Sequence, residues 1–225
     1  MYQGDPVKVL TGEVRLSYAQ LTQPRANQRG EERYSVTLLI PKTDVATKAD
    51  IDASVQAAIQ EAIGKVWNGV QPPVLNDIVH DGDGVRQRSG LPYGDECRGH
   101  WVLTASSKIK PQVVGIDNIN VSLDPHDIYS GMYARVTIRF YGFAVNGNRG
   151  IACGLGNVLK TRDGEPLAGG ASAAADFAGI GQAAGAAYQP SQPANTAGAA
   201  YQPAIGPSPQ PRPAINPLTG QPYRA

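Results

Sequence analysis

Cysteine is almost absent from the chain: Cys97 and Cys153 are the only two in 225 residues. Two thiols cannot form the disulfide framework of a small secreted domain, so a cytosolic protein with reduced thiols is expected. No apolar stretch approaches the roughly 20 residues that a membrane helix needs, and nothing reads as a signal peptide. Net charge is also scarce, at +1, which argues against a uniformly basic nucleic-acid-binding protein. There is no G-x-x-x-x-G-K-[ST] phosphate loop and no G-x-S-x-G elbow. No enzyme activity and no cofactor are expected.

Two metal patterns fail on their spacing. DGDG at 81–84 resembles the start of an EF-hand loop. Arg86 and Arg88 follow, however, and no Glu stands at the closing position. Cys97-x-x-His100, with His80 or Cys153, lacks the paired C-x-x-C spacing of a zinc site.

What the chain does have is segregated charge. Residues 97–162 carry eight Lys/Arg against three Asp/Glu, whereas residues 44–96 carry four against nine. The positive segment contains SGMYARVTIRFYGFAVNGNRGIACGLGNVLK at 130–160, which reads as a long strand, an Asn-Gly turn and a glycine-rich strand. Alternation puts Met132, Ala134, Val136, Ile138 and Phe140 on an apolar face. The opposite face carries Tyr133, Arg135, Thr137, Arg139, Tyr141 and Phe143. Rings stack on bases and guanidiniums bind phosphates, so this outer face is a candidate surface for single-stranded nucleic acid. A face covered by a helix or second subunit, with its arginines paired to carboxylates, would show the same pattern. The glycines of GIACGLGN at 150–157 follow a hairpin turn, so they mark backbone that curves or approaches something closely.

Residues 7–18 predict a strand burying Leu10, Val14, Leu16 and Tyr18, with Gly12 as a bulge position. Residues 22–32 predict a polar turn with Arg25 and Arg29 at its tip. RYSVTLLIP predicts a second strand with Tyr34, Val36, Leu38 and Ile40 inward and Arg33 outward. Ile51, Val55, Ile59 and Ile63 recur at helical spacing, predicting a helix over 45–67. Thr47 and Asp50 read as its capped start, Asn68-Gly69 as its stop and Trp67 as a core anchor. Residues 68–99 read mostly as loop. A third strand at 100–108 buries Trp101, Leu103 and Ala105 and turns His100, Thr104, Ser106 and Lys108 outward. Lys110 extends that outer row, and a short strand follows at 111–115. From Gly169 the composition collapses into Ala, Gly, Pro, Gln, Ser and Asn, with AGAAYQP at both 184–190 and 197–203. Two regions are therefore expected: a folded domain at 1–168 and a low-complexity, flexible tail at 169–225.

Short strands, one inserted helix and an aromatic-plus-basic outer face suit a mainly β, five-stranded OB-type barrel. The runs VRLSYAQLTQP (14–24), YSVTLLIPK (34–42) and DIYSGMYARVTIRFYGFAVNGNRGIACGLGNVLKTRDGEPLAGG (127–170) resemble phage-encoded single-stranded DNA-binding proteins. That family, long catalogued as a domain of unknown function, is considered related to the T7-type single-stranded DNA-binding protein. The resemblance implies an OB-fold core in the cytoplasm of a bacterial host. It implies single-stranded DNA as partner, and work alongside a phage recombinase, helicase or polymerase in replication or recombination. Self-association is a further partner to test, and no membrane is implied. T7-type proteins end in an acidic tail with a terminal aromatic. Here the last acid is Asp176, followed by Phe177, and only Arg212 and Arg224 are charged beyond it. The candidate DNA-binding set is Tyr133, Tyr141 and Phe143 for stacking, with Arg135, Arg139, Lys108 and Lys110 for phosphates. Arg149, Lys160 and Arg162 extend the track, and Arg25 and Arg29 are weaker members. The alternative is a virion structural or assembly protein that uses the same β-face for subunit contacts.

Overall fold

The computed structural model describes residues 2–26, 30–87 and 89–167. The tail expected at 169–225 and the turn residue Arg29 lie outside the described residues. The strands are β1 (Lys8–Leu10), β2 (Val14–Ala26), β3 (Glu32–Pro41), β4 (Val79–Asp81), β5 (His100–Ser107), β6 (Val113–Gly115), β7 (Tyr133–Val145) and β8 (Asn148–Arg162). Among the described residues one α-helix, α1 (Val45–Lys65), is inserted between β3 and β4.

Five strands close into a ring in the order β7-β2-β3-β5-β8, with β8 returning to β7. This is the mainly β, OB-type barrel that the sequence predicts. Antiparallel pairing makes every contact in the ring except β5 with β8, which is parallel and rests on the single pair Ser106 and Gly154. Inward parity holds on β7, where Met132 just before it and Ala134, Val136, Ile138 and Phe140 within it are all buried. They meet Leu16, Val36, Leu38, Leu103 and Val158 in one core. The Asn146-Gly147 turn has both residues at positive φ, 51° and 78°, as a two-residue hairpin loop requires.

The first predicted strand is divided. β1 buries Val7 beside it and Val9 within it, while Leu10 is only half-buried. The chain then turns through Thr11–Glu13 before β2 begins. Gly12 is a point of close packing and not a bulge: a Cβ there would stand 2.2 Å from Asp44 Oδ2. The bulge falls at Tyr18, whose φ is +47°, and the register of β2 on β3 shifts between Ser17 and Gln20. The shift reverses the facing of the strand, so Leu21 is buried and Tyr18 is 62% exposed.

The polar turn expected at 22–32 is mostly strand. β2 and β3 continue as an arm, with Arg25 opposite Arg33 and Ala26 opposite Glu32. An arm that leaves the barrel buries neither face, so it shows no apolar alternation in the sequence. Tyr34, at the root of this arm, is half-buried where parity predicts core. Trp101 is also half-buried, with Lys42 and Lys48 lying 5.0 and 4.9 Å from its ring centre. Leu39 and Val102 have outward parity but are buried, because Cys97, Tyr93 and Leu167 cover them.

α1 packs against β7 and takes Asp44 as its N-cap, in place of the expected Thr47 and Asp50. Asp44 Oδ1 accepts the Thr47 N–H at 3.0 Å. Thr47 is buried, and its hydroxyl accepts the Gly12 N–H at 2.8 Å. The helix stops as predicted: Asn68 and Gly69 have left-handed backbone, and the Gly69 N–H returns to Ile63 O at 2.7 Å. Trp67 is buried and donates from Nε1 to Phe143 O at 3.0 Å. Gly142 permits this packing, since a Cβ there would lie 2.2 Å from Ala62 Cβ.

Candidate nucleic-acid interface

The outer face of β7 divides in two. At its far end the rings lie on glycine. Tyr141 spreads over Gly154, where an added Cβ would stand 3.4 Å from its ring. Phe143 lies over its cross-strand partner Gly150, where a Cβ would stand 3.1 Å away. The glycines of β8 therefore give the rings a flat backbone bed, which is the close approach their spacing predicts. Tyr141 is 41% exposed.

Together with the β2–β3 arm, these rings border a groove of about 650 Å³. Arg25, Arg33, Ser35 and Ser106 line its other side. Arg33 also pairs with Glu31 at 3.0 Å, and Lys108 reaches the same carboxylate at 3.5 Å. Past Phe143 the groove passes into a smaller hollow of about 220 Å³ formed with Arg149, His80 and Thr104. His80 and Thr104 in turn border a second groove of about 710 Å³. Tyr18, Thr37, Arg86, Gln87 and Tyr93 line that one. The three hollows share residues end to end, so they form one track across the outer surface of β3 and β5.

The near end of β7 is already occupied. Tyr133 is clamped between two guanidiniums, Arg162 at 3.4 Å from the ring centre and Arg15 at 5.9 Å. Arg162 pairs with Glu13 at 2.9 Å. Glu13 accepts hydrogen bonds from the Thr161 hydroxyl and from Arg162, which hold its carboxyl below the ordinary range. Residues 163–167 close over this clamp. Arg15 donates to Glu165 O at 2.7 Å, and the Leu167 N–H to Ser130 O at 2.8 Å. Lys160 pairs with Asp163 at 2.7 Å and donates to Asp127 O at 2.9 Å. Arg139 pairs with Asp5 beside β1, and Arg135 donates to Thr11 O at 3.1 Å. Lys110 lines a separate small cavity with Leu21 and Leu123.

Of the candidate set, Tyr141, Phe143 and Arg149 thus meet on the track with Arg25, and Lys108 stands at its edge through Glu31. Tyr133, Arg135, Arg139, Lys110, Lys160 and Arg162 lie elsewhere. A strand of this length spans about 40 Å, and barrel twist turns its two ends toward different surroundings. Sequence reasoning missed Tyr18, whose facing depends on the bulge. It also missed Arg86 and Tyr93, which come from a loop with no periodicity, where the guanidinium lies 5.4 Å from the ring centre. The DGDG carboxylates Asp81 and Asp83 both bind Lys42, at 2.5 and 2.6 Å. Both thiols are buried, and burial pushes each thiol pKa up.

The family described as "Enterobacter phage Enc34, ssDNA-binding protein" matches residues 7–187. The solved single-stranded DNA-binding protein of bacteriophage Enc34 in complex with ssDNA superposes with a TM-score of 0.59 at 29% identity. The match covers 72% of this chain and 89% of that one. Protein p50 of Acyrthosiphon pisum secondary endosymbiont phage 1 is 28% identical over 173 residues, which is 76% of this chain and 91% of that protein. The gp2.5 single-stranded DNA-binding protein of bacteriophage T7 aligns at 16% identity with a TM-score of 0.49, over 75% of this chain and 93% of that one.

Proposed function

The chain belongs to the family of the Enterobacter phage Enc34 ssDNA-binding protein, and from that premise we propose that it binds single-stranded DNA along the track across the outer surface of β3 and β5. The observation that carries the route is the pair of rings, Tyr141 and Phe143, laid on glycine backbone beside Arg25, Arg33 and Arg149. A flat ring held this way offers a π-face to any base, and the guanidiniums take the phosphates. Both contacts tolerate any sequence, which suits a protein that coats strands.

The protein acts by coating and protecting strands during phage replication or recombination, and annealing is compatible with the same contacts. It performs no bond-making chemistry of its own and works in the host cytoplasm beside a recombinase, helicase or polymerase. A fluorescence titration of the full chain with single-stranded and duplex DNA tests the reading. Single strands should bind more tightly, and log affinity should fall linearly with log salt at about 0.7 per phosphate contact. Tighter binding to duplex, or an affinity that ignores salt, would overturn it.

A further inference from the structure

The second groove differs from the first in chemistry. The first is lined by two rings and two guanidiniums with a single carboxylate, Glu31, which is paired to Arg33; the second has two carboxylates in its wall, Asp77 and Glu96, beside one guanidinium, Arg86. The carboxylates disfavour phosphate at their part of the wall, so a DNA strand entering this groove turns its bases toward them and keeps its backbone toward Arg86. Its wall also carries neutral polar groups suited to base edges. Asp77 Oδ2 accepts from Gln87 Nε2 at 3.3 Å, and the Thr37 and Thr104 hydroxyls meet at 3.1 Å. Tyr18 stands at the border with its backbone in the left-handed region, a conformation that costs energy for a tyrosine and aims its exposed ring at the groove. Arg86 is the guanidinium on this rim, above Tyr93.

We propose that this groove is a base-reading pocket that accepts an unstacked guanine, whose adjacent N1–H and N2–H donors meet the Asp77 carboxylate while the ring packs beside Tyr18. The inference rests on the strand path proposed above, because Thr104 and His80 border both the pocket and that path. A carboxylate has two acceptor oxygens and no donor, so it matches two neighbouring N–H groups on one edge. In a single strand that edge is free of pairing and open to the protein. Arg86 takes the phosphate that flanks the captured base. Base-blind stacking along the first groove is thereby joined to a modest preference at one position.

The test is an anisotropy titration of the full chain with two oligonucleotides of about 20 nucleotides. One is all thymine and the other has single guanines spaced along it. The guanine-bearing strand should bind about tenfold more tightly. Replacing each guanine by inosine, which lacks the N2 amine, should remove most of that ratio. Asp77→Asn and Asp77→Ala should each abolish the ratio, and Tyr18→Ala should reduce it. Loss of fold would weaken both oligonucleotides alike, so the ratio is its own control, and a melting curve accompanies each variant. Tyr141→Ala should weaken both and keep the ratio. Equal binding of the two strands by the unaltered protein overturns the pocket and leaves the strand path standing. A ratio that survives both Asp77 variants overturns the pocket as well. Failure to bind either strand overturns the strand path itself.

Discussion

Tyr133 and Tyr141 share the outer face of β7, and their rings meet different surroundings. Tyr133 lies between Arg162 and Arg15 under residues 163–167, where a Cβ on Gly164 would stand 2.8 Å from its ring. Tyr141 lies on Gly154 with its other side toward the groove. The arginines follow suit: Arg139 is tied to Asp5, Arg135 to a backbone carbonyl and Arg33 to Glu31, while Arg25 borders the groove and makes no ion pair among the described residues. Alternation decides which face of a strand a residue occupies. Whether that residue is free to bind depends on what the rest of the chain lays over it.

The largest effect should come from crossing the strand itself. Phe140 is buried beside exposed Tyr141, so Phe140→Ala should cost about 3–5 kcal/mol of stability through the cavity it leaves. Thermal unfolding would check this, and a loss below about 1 kcal/mol would break the inward assignment. Next is the ring comparison. Tyr141→Ala should weaken DNA binding by about 1–3 kcal/mol with little change in melting temperature. Tyr133→Ala should do the reverse, losing about 1 kcal/mol of stability with its cation–π clamp and leaving affinity nearly unchanged. If both variants lose affinity alike, the near end of β7 also touches the strand.

A smaller contrast separates the arginines. Arg25→Ala should flatten the salt dependence by about 0.7, one phosphate contact, whereas Arg139→Ala should leave the slope where it was. Titrations at several salt concentrations decide it. The smallest effect concerns pH. Glu13 secures Arg162 against Tyr133, and its folded-state carboxyl lies below its ordinary value of 4.5. A depressed value stabilises the fold above the unfolded value, and that stability is lost as pH falls through the folded one. Melting temperature should therefore drop slightly more below pH 4.5 in the unaltered protein than in Glu13→Gln, with the difference vanishing at neutral pH once the variant's constant offset is subtracted.

The parts most legible in the sequence were those with one buried face and an unbroken period. The β7–β8 hairpin and α1 meet both conditions, and their inner residues, their turn and the helix stop are where alternation and periodicity put them. The β2–β3 arm was read as a turn because TQPRA buries nothing there. Tyr18 was read as core because a single bulge reverses the strand's facing, and no composition signal marks a bulge without glycine. Tyr141, Phe143 and Arg149 of the track were legible as an aromatic and basic outer face. Arg86 and Tyr93 were not, since the loop around them is fixed by packing onto Leu39 and Val102 and not by any local pattern. Resemblance to a family supplied the class of function, while the order of the hollows along the track came only from the folded chain.

The barrel is fastened shut by one rung, Ser106 against Gly154, and Tyr141 lies across that rung's glycine. A cylinder closed this way is a strip with a seam, and thermal breathing should concentrate along the seam before the antiparallel ladders loosen. Ser106 borders the same groove as Tyr141, so anything lodged there bridges the two lips like a clasp. Amide hydrogen exchange at the rung should therefore be fast in the free protein and slow sharply when the groove is filled.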